Sequence, residues 1–289
     1  MSDPNQSDLI HSFSQPAAPV GEAALEPTVS NEAFHPGERE ERVHYSEWDP
    51  RSAPGTYFLL AINIGVFLWM VLHGVSPTSP AIPQLLHYGA NNPSMVLGGQ
   101  WWRLVTATFV HIGMIHIATN MWCLWNLGLL GEPLLGPLGL IAVYLITGVA
   151  GNLVSIAWDL IFGSQIQLVV GVGAGASGAV FGIAGILIIL LSNQRLPIPW
   201  TELKRLRTAV VRFAAINLVI GASTIVLHAG VRIDNSAHIG GFVSGLALGP
   251  SLVPYMTRGR AAYLGRQKIV FLAAAFVLTL IGYWLANFK

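Results

Sequence analysis

Seven apolar stretches, each near the length at which a helix can cross a bilayer, decide what this chain can become. They cover Tyr57–Leu72, Ile112–Leu130, Leu138–Trp158, Ser177–Leu191, Ala209–Leu227, His238–Val253 and Ile269–Ala286. Lipid offers no partner for backbone N–H and C=O groups, so single runs of this kind must bond internally as helices. The pattern therefore predicts an all-α, polytopic membrane helical bundle. Charged residues make up 10% of the chain, against about 25% in ordinary soluble domains. A net charge of +1 gives no case for nucleic acid. The fourth and sixth runs are short and glycine-rich. Their polar ends are expected below the membrane surface, which requires a water-filled cavity there.

The remaining segments follow from this frame. Residues 1–50 hold ten of the fourteen acidic side chains and few large apolar ones, and read as a disordered acidic tail rather than a signal or transit peptide. Between the first two runs lie Pro77, Pro80, Pro83 and Pro93, then Trp101, Trp102 and Arg103, a composition suited to the membrane interface. Arg195, Lys204, Arg205, Arg207 and Arg212 follow the fourth run, and Arg258, Arg260, Arg266 and Lys268 follow the sixth. The alternate connections hold only Arg103 and Arg232, with Lys289 at the end. The positive-inside rule then places the N-terminus in the cytoplasm of a cell (plasma or inner) membrane and, after seven crossings, the C-terminus outside. The connection around Glu132 carries no basic residue of its own.

This orientation brings polar residues from three runs to one depth. His116 and Asn120 are spaced i, i+4 and share a helix face. His238 heads a run with Gly241, Gly245 and Gly249 on its own face, and Ser177 heads one with Gly178 and Gly182. Glycines four apart let helices approach closely, so packing these two faces carries His238 toward Ser177. Each polar residue alone reads as well as an interhelical hydrogen-bonding group. Their arrival at one depth favours a site. His111 lies five positions before His116 and reads as a supporting or interfacial residue. A zinc site from His111, His116 and His238 lacks a supporting acid or thiolate, so no metal and no cofactor is expected. Cys123 reads as an apolar filler. Asp234 reads as a helix cap, with Asn235 and Ser236 as rivals, and Asp159 has nothing to place it by His238, so a Ser–His dyad without an acid is expected.

The ordered set Trp102-Arg103, His111, His116-x-x-x-Asn120, Gly175-x-Ser177-Gly178 and Asp234-Asn235-x-Ala237-His238-Ile239-Gly240-Gly241 resembles the rhomboid family of intramembrane serine proteases. The resemblance spans about Gly89 to Gly249. It implies a rhomboid-like six-helix core plus a C-terminal seventh helix, with a catalytic membrane domain over 51–256 and a linker and last helix over 257–289. It further implies Ser177 as nucleophile and His238 as base. His116, Asn120 and the Ser177 N–H would bind the oxyanion, with Gly175 and Ala176 shaping the hole. Phe181, one helical turn after Ser177, would pack on the ring of His238, and Gly178, Gly241, His111 and Arg103 would support the site. Many members have Tyr where Phe181 stands, so a hydroxyl is missing. The segment Ala229–Ser236 would cover the site and the fifth run would gate its side. Substrates would be transmembrane helices cut near the outer face, in the lipid bilayer, with the oligomeric state left open. A catalytically silent helix-binding scaffold and a transporter are the rival readings.

Overall fold

The computed structural model describes residues 52–164, 171–226 and 234–287. The expected tail, and most of the segment expected to cover the site, lie outside these residues. The described chain forms α1 (Pro54–Leu72), α2 (Ile82–His87), α3 (Pro93–Leu97), α4 (Arg103–Thr106), α5 (Met114–Leu135), α6 (Pro137–Phe162), α7 (Ser177–Leu190), α8 (Trp200–Val226), α9 (Asn235–Leu252) and α10 (Arg260–Asn287). A 3-10 turn over Val253–Tyr255 follows α9.

Five of these helices, α1, α6, α8, α9 with its following turn, and α10, are long and apolar enough to cross a membrane. The count of seven crossings taken from the apolar runs needs two qualifications. Helix α5 has 22 residues, but His116, Asn120, Asn126 and Glu132 dilute its hydropathy. Helix α7 is apolar but has only 14 residues. At 1.5 Å per residue it spans about 21 Å, short of the roughly 30 Å hydrocarbon core. The helices also outrun the apolar stretches. Lys204, Arg205 and Arg207 belong to α8, and Arg260, Arg266 and Lys268 to α10, rather than to loops. An apolar run measures burial in lipid or in protein, whereas backbone bonding continues into the interface.

Helix α7 is the centre of the bundle. Apolar on all sides, with Ile183, Ile186, Leu187 and Leu190 fully buried, it suits a core position and no other. It packs on α5, α6, α8 and α9. Its contact with α9 is backbone on backbone. A Cβ added to Gly241 would fall inside the Gly178 carbonyl, and one on Gly245 inside that of Gly182. One on Gly249 would come 2.5 Å from Cβ of Ile189. These pairs ascend together, so α7 and α9 are parallel and both begin at the same end of the bundle. The expected smooth face of α7 is partly reassigned. A Cβ on Gly182 would collide with Thr147 of α6, and it is Gly185 whose missing side chain makes room for the Phe242 carbonyl.

Two polar ties fix the periphery. Glu132 sits in α5, not in a loop, and is buried. Its carboxylate accepts from Gly55 N (2.8 Å), Thr56 N (2.7 Å) and Thr56 Oγ1 (2.7 Å). It thereby caps α1, whose first N–H groups have no intrahelical acceptor. Glu132→Ala leaves these donors unpaired and is expected to cost about 3 kcal/mol, read as a lowered thermal midpoint in detergent with Glu132→Gln intermediate. Arg103 donates to Leu86 O (2.7 Å), Ala90 O (2.9 Å) and Gln100 Oε1 (2.7 Å) and lies 4.5 Å from the Trp102 ring centre. It organises the segment between α1 and α5, at a distance from the cavity described next.

Candidate active site

A cavity of about 570 Å3 opens where α7 and α9 begin. Ser177, His238, His116, Asn120, Gly175, Gly178 and Phe181 all line it. Ala176, Gly241, His111 and Arg103 do not; they act from behind the wall or elsewhere in the fold.

The approach to Ser177 is held from outside its own helix. Asn91 and Gly173 exchange two backbone hydrogen bonds, of 2.7 and 2.9 Å, and Asn92 Nδ2 donates to Gly171 O at 2.8 Å. The chain then turns at Gly175, whose φ of +129° disfavours any side chain. A Cβ there would also lie 2.6 Å from Cε1 of His116. Glycine is thus needed twice, for the conformation and for the approach of the imidazole. Helix α7 begins next, with Ala176 at the N-cap and no side chain capping it. The N–H groups of its first turn, beginning with Ser177, carry the partial positive charge of a helix N-terminus.

The N–H groups of Gly175 and Ala176 are otherwise engaged. Gly175 N donates to Ala107 O at 2.9 Å and Ala176 N to Nε2 of His111 at 3.4 Å. Gly175 gives the cavity shape as a lining residue, and Ala176 lies behind the wall. His111 is fully buried, with Nδ1 3.2 Å from Phe109 O. Accepting at Nε2, it carries its proton on Nδ1 and bonds Phe109. Its ring lies 5.3 Å from that of His116. It steadies the approach to Ser177 and backs His116.

His116 accepts at Nδ1 from Ile112 N (3.4 Å), which leaves the proton on Nε2 as a donor. Asn120 Nδ2 donates to His116 O at 2.9 Å, and its second amide hydrogen remains for the cavity. His238 is buried, and its ring stacks on Phe181 at 4.4 Å and 15°. Its Nδ1 has no hydrogen-bond partner among the described residues. Asp234 caps α9 by accepting from Ala237 N at 3.0 Å. A hydroxyl at an uncapped helix start, an imidazole and side-chain amide and imidazole donors around one cavity can perform nucleophilic attack, proton transfer and anion stabilisation. Among the described residues no group of three or more His, Cys, Asp or Glu could hold a metal ion.

Several lining residues escaped the reading of the sequence. Cys123 lies on the cavity wall rather than serving only as filler. Its place nearly in line with His116 and Asn120 is legible in the sequence, but a thiol on that line reads equally as filler. Asn152 of α6 lines the cavity and donates to Leu104 O at 2.8 Å. Thr108, Thr119 and Asn217 also line it. A single asparagine within an apolar run marks a protein-facing position but not which partner it meets.

Comparison with known proteins gives a consistent result. The sequence model of the Rhomboid domain matches residues 98–255. Rhomboid protease GluP of Bacillus subtilis is 32% identical over 191 residues, 66% of this chain and 33% of that protein. The chain thus spans only a third of the length of that relative. Rhomboid protease AarA of Providencia stuartii is 31% identical over 216 residues, 70% of this chain and 74% of that protein. Rhomboid-like protease 2 of Toxoplasma gondii is 28% identical over 247 residues, 80% of each chain.

Proposed function

The chain belongs to the rhomboid family, and from that membership and the geometry of the cavity we propose that it is an intramembrane serine endopeptidase using Ser177 and His238. The observation that carries the reading is the convergence of Ser177, His238, His116 and Asn120, from three helices, on one cavity. Ser177 Oγ attacks the scissile carbonyl while His238 takes its proton. The oxyanion is met by Nε2–H of His116, the Asn120 amide and the N–H of Ser177. His238 returns the proton to the leaving amine, and an ester to Ser177 remains. Water deprotonated by His238 then releases the acid and restores Ser177. Each oxyanion donor in such a site is worth about 3 kcal/mol.

Among the described residues no hydrogen bond joins Ser177 to His238, and such contacts commonly tighten only when substrate is bound. The substrates are transmembrane segments of other proteins, since the cavity sits at helix starts within an apolar bundle. Its end of the bundle is the outer one. The basic residues Arg195, Lys204, Arg205 and Arg258 follow the opposite ends of α7 and α9, where Asn193 Nδ2 reaches Val253 O at 3.5 Å. That distribution supports a cytoplasmic N-terminus.

A fluorophosphonate probe tests the assignment on the purified full chain in detergent. The expected result is a single adduct mapped to Ser177, absent from Ser177→Ala, with cleavage of a transmembrane reporter blocked in step. No adduct, or equal labelling of Ser177→Ala, excludes the protease reading and leaves a helix-binding scaffold.

A further inference from the structure

We propose that Asp234 is the positioning residue for His238, acting by clasping the first turn of α9 to α6 through Ser155. This rests on reading Ser177 and His238 as the catalytic pair. The problem it solves is visible in the site. Nδ1 of His238 is buried without a hydrogen-bond partner among the described residues. Stacking on Phe181 sets the plane of the ring, but a stacked ring can still slide and turn in that plane. With no partner on Nδ1, the position of the imidazole must come from the backbone that carries it.

That backbone is fixed by Asp234. One carboxylate oxygen accepts from Ala237 N at 3.0 Å and from the Ser236 hydroxyl. The other accepts from Ser155 Oγ at 2.5 Å, across 79 positions of sequence. Ser155 belongs to α6 and is buried. Three donors engage the carboxylate, one a backbone N–H and two hydroxyls, and the ring of His238 is not among them. The cap alone would order the turn but not its place. The bond to Ser155 supplies the place, because α6 is also the helix against which the turn is wedged. A Cβ on Gly151 would lie 2.6 Å from Ala237 O, and one on Gly240 2.6 Å from Cβ of Val154. Residue 237, immediately before His238, is therefore seated on α6. Loosening the clasp moves the imidazole relative to Ser177 while leaving the core contacts of α9 with α7 intact.

Asp234 lines the same cavity, but among the described residues neither it nor Ser155 hydrogen-bonds the nucleophile or the oxyanion donors, so their effect should fall on turnover. The test compares Ser155→Ala, Ser155→Thr, Asp234→Ala and the double Ser155→Ala/Asp234→Ala in the full chain, by kcat and KM on a transmembrane reporter, fluorophosphonate labelling rate and thermal midpoint. Ser155→Ala is expected to lower kcat and labelling rate by about 10-fold or more, as a small misplacement does, with KM and the midpoint unchanged. Ser155→Thr keeps the hydroxyl and restores the rate. The double variant is no slower than Asp234→Ala alone, because the pair acts as one unit. Wild-type kcat in Ser155→Ala, failure of Ser155→Thr to restore it, additive losses, or a loss explained by a lowered midpoint overturns the proposal while the protease reading stands. Should Asp234→Ala not fold, the two Ser155 variants decide alone. A wild-type chain inert to the probe removes both readings together.

Discussion

Ser177→Ala, His238→Ala and the double variant are expected to lose proteolysis to the same extent. In a nucleophile–base pair each member works only through the other. Removing one leaves what the oxyanion donors and substrate binding supply, and removing the second then costs little more. In serine proteases of other folds the loss for either member is about 10⁶-fold in kcat. The structure allows the loss to be read without a folding artefact. The Ser177 hydroxyl makes no hydrogen bond among the described residues, so its removal should leave stability nearly unchanged. His238→Ala forfeits the stack on Phe181, worth about 1 kcal/mol. The measurement is kcat on a transmembrane reporter beside the thermal midpoint of each variant. A double variant much slower than either single one would show that the two side chains do not act as a pair.

The second large effect is expected at Gly241, which touches no substrate. Gly241→Ala places a methyl inside the Gly178 carbonyl, and both partners are backbone, so neither can turn aside. Helix α9 must move away from α7, and His238 sits three residues before the obstruction. Overpacking costs about 1–3 kcal/mol, but a shift near 1 Å at a catalytic group costs on the order of 10²-fold in rate. Turnover should therefore fall much further than stability. Gly265→Ala is the control, since nothing lies within 4 Å of the added methyl. Equal activity in the two variants would show that the close approach of α7 and α9 does not set the position of His238.

How much was legible beforehand varies by residue. The start of α7 at Ser177, the i, i+4 pair on α5, the glycine face of α9 and the cap at Asp234 are local features, governed by spacing within one helix, and were read directly. Spacing says that a small residue faces a partner without saying which: the Gly182 carbonyl meets α9 at Gly245 as expected, but its missing side chain faces a different helix. Gly178 and Gly182 share a face, yet the latter accommodates Thr147 of α6. Glu132 was placed in a loop because a lone acid next to an apolar run resembles a boundary. It is a buried cap for a helix 76 residues away.

The sequence by itself determined the class of fold, the long apolar helices and the chemical types available at their ends, but not the short helices α2, α3 and α4, because the cost of exposing a backbone or a charge to lipid is paid locally, residue by residue. Tertiary structure alone decided which ends meet. Ser155 reaches Asp234, Asn91 pairs with Gly173, and His111 bonds the N–H of Ala176. Each bond joins residues more than sixty positions apart. Their existence depends on the crossing of α6 against α9 and on the path of the chain into Ser177, quantities that no periodicity within a single helix encodes.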